Sequence, residues 1–193
     1  AGISSSFFDA ITALLAERQI ALTLFEFAYM AGRRSGGSKR PPPRAEALVD
    51  EYRAAVAEVA KAHPDQTLVI GGKSLGGRVA SLVADSLFSE GAITGLVCLG
   101  YPFHPPGRPE QLRTEHLFKL RCPTLIVQGE RDPFGNRAEV EALKLSRKIA
   151  FAWMDDGDHD FGPRGRSGFT RKANLAAAAD AVAAFVAKRS EAR

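Results

Sequence analysis

The sequence predicts an α/β architecture, an open and mostly parallel sheet with helices on both faces. Two observations carry this. Short apolar runs alternate with longer amphipathic ones along all 193 residues, and regular alternation implies right-handed crossovers between parallel strands. The short runs are also near-continuously hydrophobic, as strands covered on both faces require, rather than strictly alternating. Hydrophobic residues make up 45% and charged residues 25%, which excludes a disordered, collagenous or fibrous chain. With no internal repeat and no second composition regime, residues 1–193 read as one domain.

The elements follow in order. Ser5 to Arg18 reads as a helix with Phe8, Ile11, Leu14 and Leu15 on one side. Ile20 to Phe27 (IALTLFEF) reads as a strand, and Ala31 to Arg44 as an irregular surface excursion. Arg44 to Ala62 is rich in Ala and Glu and follows a proline run that cannot itself be helical. Thr67 to Gly71 is the second strand, and Leu75 to Ser89 a helix with Val79, Leu82, Val83 and Leu87. Ile93 to Leu99 is the third strand, followed by a loop at Tyr101 to Pro109 and a short helix. Thr124 to Gln128 and Ile149 to Met154 are the last strands, with a helix over Arg137 to Lys148 between them. Arg171 to Arg189 closes the chain as an Ala-rich helix striped by Leu175, Val182, Phe185 and Val186. The chain opens on a helix, whereas this architecture feeds its first helix from a strand. Either that strand lies ahead of residue 1, which is the preferred expectation, or the sheet begins at Ile20.

Lys and Arg number 26 against 22 Asp and Glu, a formal charge of +4. The densest basic cluster, Arg33, Arg34, Lys39, Arg40 and Arg44, sits among Gly, Ser and Pro. It reads as a solvated loop, with an anion-attracting rim as the alternative. Nucleic-acid binding lacks an aromatic and basic face, and no apolar run reaches the roughly 18 residues of a membrane span. The start has no basic region or apolar segment of a signal peptide. Cys98 and Cys122 lie in apolar runs and read as buried free thiols, which suits the cytoplasm. No metal site is expected, because the histidines lack ligand spacing and no Cys-x-x-Cys occurs.

The chemistry centres on Gly72-Lys73-Ser74-Leu75-Gly76, a G-x-S-x-G sequence with a strand running in and a helix running out. That turn lifts a serine Oγ above the sheet edge in a strained backbone conformation. Gly72 and Gly76 are expected to avoid clashes with the neighbouring strand and helix. The helix from Leu75 aims free N–H groups at the same spot, where an oxyanion would be stabilised. A phosphate-loop reading of Gly72-Lys73-Ser74 fails because Thr67 stands where that motif needs glycine.

A serine hydroxyl needs a base. Of His63, His104, His116 and His159, only His159 lies in a polar loop just after a strand, where parallel sheets place their sites. The orienting acid should fall between, again after a strand, and Asp132 does so, with Glu130 as competitor. The order Ser74, Asp132, His159 is that of one serine-hydrolase architecture and not of the others.

Those segments, with Phe25–Met30 (FEFAYM), Gly100–Gly107 (GYPFHPPG), Gln128–Gly135 (QGERDPFG) and Gly157–Phe161 (GDHDF), resemble the α/β-hydrolases. The nearer resemblance is to small bacterial dienelactone-hydrolase-like enzymes, a branch with animal relatives that include a chromatin-complex subunit. The resemblance implies an α/β-hydrolase fold without a large cap, a nucleophile at Ser74, an acid at Asp132 and a base at His159. It implies oxyanion donors at the backbone of Leu75 and of an N-terminal loop whose tail is Ala1-Gly2. Lys73, Phe103 and His104 are expected to border the substrate. The expected reaction is cofactor-free cleavage of an ester or thioester of a small carboxylic acid. The alternative is a catalytically silent module of the same fold that binds a partner.

Overall fold

A computed structural model describes residues 2–34 and 41–191, and the side chains of all of these but Arg33 and Arg34. Ala1, Lys39 and Arg40, to which expectations were attached, lie outside the described residues. Four parallel strands stand in the order β1 (Val69–Lys73), β2 (Gly95–Leu99), β3 (Thr124–Gly129) and β4 (Ile149–Met154). The helices are α1 (Ser6–Glu17), α2 (Ala28–Arg34), α3 (Val49–Ala62), α4 (Leu75–Ser89), α5 (Arg137–Glu141) and α6 (Arg171–Ser190), with 3₁₀ turns at Ala45–Leu48 and Glu115–Phe118.

The two faces of the sheet build two cores. Leu96, Cys98 and Ile126 point to the layer of α3 and α4, where Tyr52, Val56, Val79, Val83 and Leu87 are buried. Val97, Leu99, Leu125 and Val127 point to α1 and α6, meeting Phe7, Ile11, Leu15, Leu175 and Val182. Every residue of β2 and β3 is buried, which is why their sequences show no polar alternation. Ser5 and Thr170 cap α1 and α6 through their side-chain oxygens. Cys98 and Cys122 are free and buried. No helix among the described residues is long and apolar enough to cross a membrane.

Three expectations need correction. Ile20 to Phe27 forms no strand, so β1 is the first strand among the described residues. A ladder needs a neighbour about 4.8 Å away, and this segment instead faces β1 across a cavity of about 730 Å³. Its aromatic end packs by ring contacts of Phe25 and Phe27 with Tyr52. The first residues of the expected excursion, 31–34, are helical as the end of α2, whose first N–H donates to Glu51 Oε1 at 2.6 Å. Helix α5 stops at Glu141 rather than Lys148, since Ser146 turns away to bond the carbonyls of Leu117 and Leu120.

Candidate active site

Ser74 stands between β1 and α4 with φ +53° and ψ −119°, a region that non-glycine residues enter only under strain. The close approach that forces this turn is visible at its glycines. A Cβ on Gly72 would come within 2.3 Å of the Gly76 carbonyl carbon, and one on Gly77 within 2.7 Å of Gly72 O. Gly76 has open space around it, so Gly77, not Gly76, is the second glycine that packing demands. The N–H of Leu75, first residue of α4, lies at the positive end of the helix dipole.

The structure brings the three separated side chains together. His159 Nε2 lies 2.9 Å from Ser74 Oγ, and His159 Nδ1 lies 2.8 Å from Asp132 Oδ2. Asp132 is wholly buried and also accepts from the Phe134 N–H at 2.9 Å and from Gln128 Nε2 at 3.0 Å. An ionised carboxylate can only accept, so Nδ1 carries the proton and Nε2 is left to accept from the serine hydroxyl. Glu130, the competing acid, is turned away: it accepts from the Asp156 N–H and from Arg137.

Two residues of this arrangement escaped the sequence reading. Gln128, the residue before the last of β3, is fully buried, with its amide exchanging hydrogen bonds with both backbone groups of Tyr101 while it donates to Asp132. A polar residue inside an otherwise apolar strand was the available signal. Phe134 lays its ring over the imidazole, with centroids 4.4 Å apart, and no sequence signal distinguishes it from a core phenylalanine.

The remaining expected residues fall differently. Lys73 borders the large cavity, yet its Nζ donates to the His159 carbonyl at 2.7 Å and pairs with Asp160 Oδ1 at 3.1 Å. Burial holds the Lys73 ammonium below its ordinary value, against the opposing pull of Asp160. Phe103 is fully buried against Tyr101 and Phe151. His104 is buried too, bonded to the Pro105 carbonyl and to Glu139 Oε2. Both brace their loop from inside. Gly2 accepts the Ser5 N–H in the turn that starts α1. His116 sits against Ser81 Oγ at 2.8 Å, its charged form disfavoured by burial and by Arg78.

A family model described as an alpha/beta hydrolase domain matches residues 1–187. The chain belongs to the α/β-hydrolase family. Solved α/β-hydrolase structures share its fold. A serine hydrolase homologue from Coxiella burnetii superposes with a TM-score of 0.68 at 18% identity, covering 95% of this chain and 77% of its own. A serine hydrolase without a lid from Xanthomonas campestris gives 0.66 at 19%, covering 97% and 75%. A dienelactone hydrolase from Anabaena variabilis gives 0.66 at 18%, covering 97% and 81%. The α/β-hydrolase fold of the described residues carries no large cap.

Proposed function

We propose that this α/β-hydrolase is a serine hydrolase cleaving an ester or thioester of a small carboxylic acid, with no cofactor. The observation that carries the reading is the unbroken hydrogen-bonded line from Ser74 Oγ through His159 to buried Asp132. Ser74 Oγ attacks the carbonyl carbon while its proton passes to His159 Nε2. Asp132 stays ionised, keeps the imidazole in the tautomer that can accept, and stabilises the imidazolium. The Leu75 N–H and the dipole of α4 receive the oxyanion. The carbon–oxygen or carbon–sulfur bond then breaks, and His159 returns its proton to the departing alcohol or thiol. Water attacks the acyl-serine, gives a proton to His159, and releases the acid as Ser74 Oγ recovers its hydrogen. Residues 1–193 act in this reading as one catalytic domain, and the free buried thiols fit a reducing compartment such as the cytoplasm.

The test is labelling with a fluorophosphonate followed by peptide mapping, beside turnover of p-nitrophenyl esters. Label is expected on Ser74, and Ser74→Ala is expected to lose on the order of 10⁶-fold in kcat. Absence of Ser74 labelling in folded protein favours a silent module of the same fold and overturns the hydrolase reading.

A further inference from the structure

A second cavity, of about 410 Å³, is walled by Arg44, Arg78 and Arg113 with Glu46 and Gln111 beside them. Three guanidinium groups against one carboxylate leave this wall at +2 (three minus one). Such a concentration is unusual in a chain whose whole formal charge is +4. The arginines come from three places. Arg44 precedes the Ala45–Leu48 turn, Arg78 lies in the first turn of α4, and Arg113 follows the β2 loop. Backbone hydrogen bonds fix two of them. The Arg78 N–H donates to Ser74 O at 3.1 Å, and Arg113 donates its N–H to Phe103 O at 2.7 Å and accepts the Tyr101 hydroxyl at 2.9 Å.

The donors are under-used. Arg78 Nη2 gives one hydrogen bond to Glu46 Oε1 at 2.7 Å, while its Nε, shielded from water, has no partner. A buried guanidinium donor without an acceptor costs free energy. Burial and the neighbouring Arg78 also hold Arg113 below the ordinary guanidinium range, the mark of two like charges held together in partly dry surroundings. The repulsion between the two guanidinium groups is relieved when an anion enters, since guanidinium forks match oxyanions and charge-assisted hydrogen bonds are the strong ones.

We infer that this arginine-walled pocket, one helical turn along α4 from Ser74, is a binding site for an oxyanion, a carboxylate or phosphate group. The anion has two sources, the charged end of a substrate or a free anion held beside the site. The anion site itself does not depend on the hydrolase reading, whereas its use for substrate does.

Inorganic phosphate titrated calorimetrically into the wild-type chain and into Ser74→Ala tests the site without turnover. Equal binding to both is expected, weakened by about 10-fold or more in Arg113→Ala, the loss of one charge-assisted contact. Arg44→Ala, at an exposed position, gives a second reading in a variant that keeps the core intact. Failure of phosphate to bind, or binding unchanged in both arginine variants, overturns the proposal. The sources separate by kcat/KM for p-nitrophenyl acetate against p-nitrophenyl hemisuccinate. A preference for the anionic ester that vanishes in Arg113→Ala supports the site as a substrate pocket. Phosphate binding without that preference supports it as a free-anion site.

Discussion

At the scale of single residues, Lys73 links the nucleophile turn to the base. It precedes Ser74, its side chain is 3% exposed, and it holds both the His159 carbonyl and the Asp160 carboxylate. Gly100, at φ +63°, lets this happen: a Cβ there would lie 3.0 Å from His159 O and 3.1 Å from Lys73 Nζ. Lys73 is therefore a positioning residue that acts through His159. Lys73→Met is expected to lower kcat by about 10²-fold through misplacement of the imidazole, with KM little changed. Its melting temperature should hold or rise, because an apolar side chain of similar volume replaces a buried ammonium whose partner, Asp160, is largely exposed. Equal falls in stability and turnover would instead mark Lys73 as a purely structural residue. Ser74, Asp132 and His159 were legible in the sequence because each follows an apolar run and their chain order is distinctive. Lys73 was noticed for its place beside the serine, but its contacts lie 86 residues away, and no local pattern reports such a distance. The same applies to Gly77, whose necessity comes from Gly72 O and Cys98 Cβ.

At the scale of elements, helix α4 was readable to the residue, since its Gly-rich start and its apolar stripe coincide in one window. Ile20 to Phe27 was misread because β-propensity describes a side chain that suits a pleated surface, not the presence of a ladder partner. Its would-be neighbour, the outer edge of β1, is met by a side chain. Tyr52 of α3 donates its hydroxyl to Gly71 O at 2.7 Å and accepts the Gly71 N–H at 3.1 Å. One hydroxyl thus satisfies both backbone groups of a strand residue three positions before Ser74, at a ring only 7% exposed. Tyr52→Phe keeps the ring in the core and strips that cap. The expected cost is about 1–3 kcal/mol for leaving buried backbone groups unmade, read as a lower midpoint in urea with an unchanged m-value. An unaltered midpoint would show that water from the adjoining cavity replaces the hydroxyl.

Across the whole molecule, the two loops that carry Asp132 and His159 are bound to each other by charge. Asp156, buried at 7% exposure, accepts from the Arg164 backbone N–H and guanidinium and pairs with Arg131 at 2.8 Å. Glu130 accepts the Asp156 N–H at 3.0 Å. The run of acids from Asp155 to Asp160 showed in the sequence only as a polar loop, because the arginines that hold it belong to other turns. Hydrogen bonding to Arg164, with Arg131 nearby, pulls the Asp156 carboxyl from 3.8 down to about 2 against the cost of burial. A depressed folded-state pKa means that the unfolded chain binds more protons between those two values, so stability rises with pH there. This contribution is complete above the unfolded value of 3.8 and is lost as pH falls toward about 2. Asp156 sits at φ +48°, a conformation that asparagine also tolerates, so Asp156→Asn removes the charge without forcing the backbone. The variant should be less stable than wild type at neutral pH, and the gap should close as both are acidified through that window. Denaturant midpoints measured at steps from neutrality to about pH 2 follow it directly, and parallel curves for the two proteins would remove Asp156 from the acid response. The same loss of charge loosens the loop that aims His159 at Ser74, so the variant's kcat at neutral pH should fall while it is still fully folded, which separates the brace's effect on geometry from its effect on stability.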